Sequence, residues 1–159
     1  MSTHRTPMTP EGHAKVVAFL KDLKEIQRPA NVIAIEEARA HGDLSENAEY
    51  SAAKERQMWL TTQIAMAEDK LARAQIIDPK SVQMDKVAFG ATVTLLDPQS
   101  DEEVTYKIVG GDEADVKLGL ISYDAPLARA LLGREEGDQV AFDAPKGRRK
   151  FEIVGVEYK

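Results

Sequence analysis

Asp43 and Glu46 are the residues of this chain whose types and spacing could do chemistry, three apart in the run "ARAHGDLSENAEYSAAKE", residues 38–55. Two readings compete for them. In the first, "DLSE" is a capping box: Asp43 accepts the amide of Glu46, Glu46 reaches back to the amide of Asp43, and both sit at the positive end of a helix. In the second, the carboxylates are part of a metal site. Hard oxygen ligands suit Mg²⁺, but two carboxylates cannot fill its octahedral shell, so further ligands would have to come from a partner. Arg39 and Lys54 flank the acids. A cationic collar behind an acidic tip suits a phosphodiester substrate, and ordinary solvated helix charge is the plainer account of both.

Few other chemistries are open to this chain. It has no cysteine, so it offers no disulfide framework, thiolate metal site or thiol nucleophile. His4, His13 and His41 are not paired at ligand spacing. No P-loop, dinucleotide fingerprint or internal repeat is present. Through Ile77 there are 10 Lys+Arg against 11 Asp+Glu, and from Asp78 on 11 against 16, nets of −1 and −5 within the total of −6. That balance lacks the uncompensated cations of a protein that binds duplex DNA by itself. No apolar run approaches the roughly 20 residues of a membrane span, and "MSTHRTPMTPEGH" has no signal-peptide core, so the expected address is cytoplasmic.

The elements that would position the acids are two helical arms. Thr9 is an expected N-cap, with Pro10 at the first helical position. Val16, Phe19, Leu23, Ile26, Ala30 and Ile33 recur at steps of three and four, and a second stripe runs through Tyr50, Ala53, Gln57, Leu60, Ile64, Ala67, Leu71 and Ala74. Pairing the stripes in an antiparallel coiled-coil hairpin places the fold point at Gly42 and Asp43. A glycine just past a helix end is the preferred left-handed cap. Each arm of about 30 residues would run on the order of 45 Å, long enough to probe a cavity outside its own domain. Pro29 should remove a backbone hydrogen bond and bend the first arm. Trp59 and Met58 are expected to pack across the hairpin.

Beyond Ile77 the period changes. "KVAFGATVTLLD", "EEVTYKIVG", "DVKLGLIS", "DQVAFDA" and "RKFEIVGVEY" read as five antiparallel strands, and "APLARALLG" as a short helix closing one face. The expected class is α+β: a hairpin over 1–77 with an acidic tip near 41–47, then a small antiparallel sheet domain over 78–159.

The run "GDLSENAEY" and the segments "MTPEGHAKVVAFLKDLKEIQRP", "VAFGATVTLLD", "YKIVGGDEAD", "GLISYDAPLARALLG" and "GDQVAFDAPKGRRKFEIVGVEY" resemble the GreA/GreB family of bacterial transcript cleavage factors over nearly the whole chain. The GreA branch is the closer likeness. The resemblance implies an FKBP-like C-terminal domain that docks on RNA polymerase near Tyr123, Asp124 and Pro126, where Ala125 replaces the family's usual serine. It implies that the hairpin enters the secondary channel. There Asp43 and Glu46 would help hold the second Mg²⁺ of the active centre and position the water that cleaves the extruded 3′ end of backtracked RNA, while the polymerase's aspartates hold the other metal. Arg39 and Lys54 would face that nascent RNA, and Gly42, Leu44, Ser45 and Asn47 would set the shape of the tip. On this reading the chain is a monomeric accessory that cleaves nothing alone and has no tightly bound cofactor of its own. A same-fold regulator that blocks the channel without cleavage is an alternative which the intact acids disfavour. A coiled-coil chaperone is another, and it would need a more apolar tip than Leu44 alone provides.

Overall fold

The computed structural model describes residues 4–43, 47–82 and 84–159. The class is α+β, and the chain divides into two compact units. One holds the helical residues 13–74; the other combines Arg5–Gly12 with Gln75–Lys159.

In the helical unit α1 (Pro10–Asp22) runs into a π-helical turn, Leu23–Gln27, and on into α2 (Arg28–Ala40); α3 (Ala48–Arg73) returns. Up to Leu23 the first arm broadly follows the expected stripe, with Leu20 taking the place of Phe19. Beyond Leu23 it does not. Ile26 is 63% exposed and Ile33 55% exposed, while Gln27 and Ile35 are half-buried and Asn31 and Ala38 are buried. The seam runs one residue later than the sequence spacing indicates. The reason is the π-turn, in which the Arg28 N–H bonds Leu23 O, five residues back. Adding a residue to that turn rotates everything after it. Pro29 follows directly, and its ring would crowd the carbonyl of Glu25 in a regular helix, so a widened turn is a natural accommodation there. The second arm keeps its stripe, with Ala53, Leu60, Ile64 and Ala67 buried, except at exposed Gln57. Trp59 and Met58 lie largely exposed rather than packed across the seam, and Arg56 stacks on the Trp59 ring at 4.3 Å.

The apolar core of the hairpin is small: Leu23, Leu60 and Ile64, with Leu20 beside them. Polar contacts continue the seam toward the tip. Asn31 Nδ2 donates to Ala53 O at 3.0 Å, and Arg56 donates to Gln27 Oε1.

The second unit is built on a five-stranded sheet of order β5-β4-β3-β7-β6, from β3 (Thr92–Asp97), β4 (Glu102–Val109), β5 (Leu120–Ser122), β6 (Gln139–Ala144) and β7 (Gly147–Glu157). All five expected strands form. Their pairing differs from the fully antiparallel expectation at one place, because β5 lies parallel to β4, with Ile108 opposite Ile121. Residues 110–119 between them form two single 3₁₀ turns and carry the chain back to the level of Lys107, so that β5 runs alongside the last residues of β4 in the same direction. The short helix is α4 (Pro126–Leu131), and its Ala128 and Leu131 join Val93, Leu95, Ile108, Val140, Phe151 and Ile153 in the core. Two three-residue strands that the sequence did not suggest, β1 (Thr6–Met8) and β2 (Ala74–Ile76), pair in a separate small sheet. Among the described residues no helix is long and apolar enough to cross a membrane.

Thr9 caps α1 as expected, its hydroxyl accepting the Gly12 amide at 3.1 Å. The reciprocal half of the capping box comes from far along the chain. Glu113 accepts the Thr9 amide at 3.2 Å and also the Thr9 hydroxyl, so a residue 104 positions away does what an N3 glutamate normally does. Gly12 occupies that N3 position, and a Cβ there would stand 2.2 Å from Glu113 Cδ.

The observed seam makes a sharp stability prediction. Leu60→Ala should destabilise the hairpin by about 2–3 kcal/mol, in the range for a buried leucine, whereas Ile26→Ala should change stability by no more than about 0.5 kcal/mol. Denaturant unfolding of both variants checks it.

Candidate functional site

The tip is positioned by how one helix stops and the next begins. The last turn of α2 closes through His41 N–H to Ala38 O at 3.2 Å and Gly42 N–H to Arg39 O at 3.3 Å. Gly42 has φ +106°, a conformation that an L side chain rarely adopts, and no atom crowds its Cβ position. The glycine is therefore required by backbone shape rather than by space.

The return arm starts later than the capping-box reading of "DLSE" needs. Helix α3 begins at Ala48, and its N-cap is Asn47, whose Oδ1 accepts the Tyr50 amide at 3.1 Å. Asp43 lies four residues before that cap and cannot fill it. The Asn47 Nδ2 donates to Ala38 O at 2.6 Å, so one side chain terminates α2 and initiates α3. Leu44, Ser45 and Glu46 lie outside the described residues. Asp43 is exposed. A carboxylate there is the hard oxygen donor that Mg²⁺ prefers, but among the described residues no group of three His, Cys, Asp or Glu side chains is placed to hold a metal ion. The donor set therefore fits Mg²⁺ in kind and falls short in number, which suits a site completed by other ligands.

Arg39 and Lys54 are brought together. Both are exposed and line one groove of about 250 Å³ between α2 and α3, with Glu36, Tyr50 and Gln57 among its other walls. Lys54 Nζ donates to Gln57 Oε1 at 2.9 Å, which braces it along the helix. Sequence reasoning did not pick out the pair His41 and Glu49, whose Nδ1 and Oε2 stand 3.1 Å apart. Their separation of eight residues carries no helical or strand signal, and only the closure of the loop brings them together.

Tyr123, Asp124 and Pro126 share the turn that joins β5 to α4. The Tyr123 amide donates to Val109 O at 2.9 Å, and its ring meets Phe89 edge-on at 6.0 Å. Asp124 pairs with the Ser122 hydroxyl, and Asp124 and Pro126 are exposed. Ala125 is the N-cap residue of α4 and has no side chain to cap with; Pro126 follows at the first helical position, where its missing N–H costs nothing.

The assignment of the cap to Asn47 is testable by unfolding. Asn47→Ala should cost about 1 kcal/mol as a lost cap, since Ala38 O keeps the His41 N–H, whereas Asp43→Ala should cost less than Asn47→Ala.

Known families match both halves of the chain. The family model described as transcription elongation factor, N-terminal, matches residues 6–76, and the one described as transcription elongation factor, GreA/GreB, C-terminal, matches residues 80–158. A transcription elongation factor GreA of Hyphomonas neptunium is 56% identical over 155 residues, covering 98% of this chain and 99% of its own length. That of Phenylobacterium zucineum is 53% identical over 154 residues, covering 97% and 98%. The solved structure of GreA factor homolog 1 of Thermus thermophilus is 28% identical, covers 97% of this chain and 99% of that one, and has a TM-score of 0.44. With both halves matched and more than half of all positions shared with full-length relatives, the chain belongs to the GreA/GreB family of transcription elongation factors.

Proposed function

We propose that this transcription elongation factor works on RNA polymerase as an accessory to its RNA cleavage activity. The sheet unit docks at the rim of the secondary channel through the turn of Tyr123, Asp124 and Pro126. The hairpin passes into the channel and presents Asp43 and Glu46 to the active centre. Their carboxylate oxygens add to ligands the polymerase already has and orient a water toward the phosphodiester near the extruded 3′ end of backtracked RNA. The Mg²⁺ held there, when bound, stabilises the attacking and leaving oxygens of a two-metal hydrolysis. Arg39 and Lys54, on one groove beside the tip, face the phosphates of that RNA. Gly42 and Asn47, with Leu44 and Ser45, set the shape of the tip. The chain acts as a cytoplasmic monomer with no tightly bound cofactor of its own, and alone it cleaves nothing, because exposed carboxylates outside a closed, preorganised site supply little transition-state stabilisation.

The observation that carries this reading is the start of α3 at Ala48 under an Asn47 cap. Asp43 is not needed as the N-cap of α3, which supports the metal reading of it. The same acids separate this function from passive blocking of the channel.

The test is release of 3′ fragments from a stalled, backtracked elongation complex carrying labelled RNA. Asp43→Asn and Glu46→Gln should each lower the cleavage rate by about 10- to 100-fold or more, the scale on which groups supporting a metal act, while competition for polymerase binding stays as in the parent chain. Variants that cleave as fast as the parent would show that the acids are not ligands.

A further inference from the structure

The sheet unit carries a concentration of positive charge that this mechanism leaves unused. Of the 11 Lys and Arg residues from Asp78 on, four fall within Lys146–Lys150, in a half whose net charge is −5. They sit on the hairpin of β6 and β7, where Asp143 pairs with Arg148, Phe142 with Arg149 and Ala141 with Lys150 across the ladder. Arg148, Arg149 and Lys150 form one wall of a groove of about 210 Å³, and Asp97, Pro98 and Gln99 form the other. All three cations are exposed.

Arg149 is held in place from two sides. Its guanidinium lies 4.8 Å from the centre of the Phe151 ring and 3.5 Å from Asp97 Oδ2. Asp97 is occupied in turn: its Oδ1 accepts the Gln99 amide at 2.9 Å. That bond first, with the Arg149 charge beside it, holds the carboxyl below its usual pKa, so it stays ionised and anchors the arginine. Asp143 stands 3.9 Å from Arg148 and offsets part of its charge. With Asp97 and Asp143 counted against the three cations, the groove and its rim keep a net charge of about +1, and Arg149 offers a guanidinium fixed in direction, the geometry that matches an oxyanion.

We propose that this groove binds the phosphodiester backbone of single-stranded RNA. Three cations are too few for the six to ten phosphate contacts that strong duplex binding uses, about the number expected for a short stretch of flexible strand. Gln99 adds a neutral donor and acceptor that a ribose hydroxyl or base edge can use and an acidic peptide does not need. The choice of RNA rests on the proposed function, which places the chain where RNA is extruded; the anion chemistry of the groove stands without it.

The test uses the intact chain without polymerase, so its failure leaves the cleavage mechanism standing, and failure of the cleavage assay leaves this result standing. Fluorescence anisotropy follows binding of a labelled oligouridine of about 16 nucleotides, the upper end of single-strand site sizes. With three phosphate contacts, affinity should fall about 20-fold between about 50 and 200 mM salt, a log–log slope near −2. The double variant Arg148→Gln with Lys150→Gln, both exposed and with folding verified by circular dichroism, should bind at least tenfold more weakly at low salt, with the slope falling to about −0.7 as one contact remains. Lys80→Gln with Lys117→Gln, exposed cations outside the groove, should leave this binding intact. Three results would overturn the proposal: no binding at low salt, binding by the hairpin variant as tight as by the parent chain, or polyglutamate competing as well as RNA at equal charge.

Discussion

The side chain of Asn47 is the contact on which the tip depends. Its amide nitrogen gives Ala38 O, at the end of α2, a second donor beside the His41 N–H, and its carbonyl oxygen satisfies the Tyr50 amide at the start of α3. Helix ends leave several backbone groups without partners, and a loop joining two helices normally needs a separate solution for each. Here one residue serves both, so the two ends of the loop are fixed to each other by directional bonds. Nearer the far end of the hairpin the arms meet through Leu20, Leu23, Leu60 and Ile64; nearer the tip they meet through Asn31 and Asn47. Net hydrogen bonds add only about 1 kcal/mol each to stability, but they specify position more narrowly than aliphatic contacts do. The proposed placement of carboxylates at a partner's metal would need that kind of precision.

Pro29 has an influence that reaches beyond its own turn. The widened turn before it rotates α2 so that Ile26 and Ile33 face outward and the polar pair Gln27 and Asn31 faces inward. The helical seam thereby exchanges apolar burial for the Asn31 bond to Ala53 O. The result is a hairpin held by a small core and a few well-aimed polar contacts.

Much of this was legible in the residues. Gly42 marked the end of the first arm, the stripe from Ala53 to Leu71 marked the face of the second, and alternating runs bounded by Asp, Gly and Pro marked all five strands of the main sheet. The first arm beyond Leu23 was not legible, because a three-four spacing presumes a regular helix and a π-turn shifts the count by one. The start of the second helix was left open for a related reason: both Asp43 and Asn47 are good caps, and only the backbone chooses between them. The parallel pairing of β5 depends on how ten irregular residues travel, and the capping of Thr9 by Glu113 joins residues too distant for any local pattern. At the candidate site, Arg39 and Lys54 share one groove and Tyr123, Asp124 and Pro126 share one turn, while the pairing of His41 with Glu49 had no signature in sequence.

These observations support one proposal, in which Asn47 rather than Asp43 caps α3 and the acidic tip supplies metal ligands inside RNA polymerase. The most direct measurement is the Mg²⁺ dependence of RNA cleavage in a backtracked complex saturated with this factor. If Asp43 and Glu46 are ligands, Glu46→Gln should raise the Mg²⁺ concentration for half-maximal cleavage by on the order of tenfold or more, with the rate recovering in part at high Mg²⁺. An unchanged Mg²⁺ midpoint, with only the concentration of factor needed for saturation altered, would contradict it and make the acids contacts to the polymerase instead.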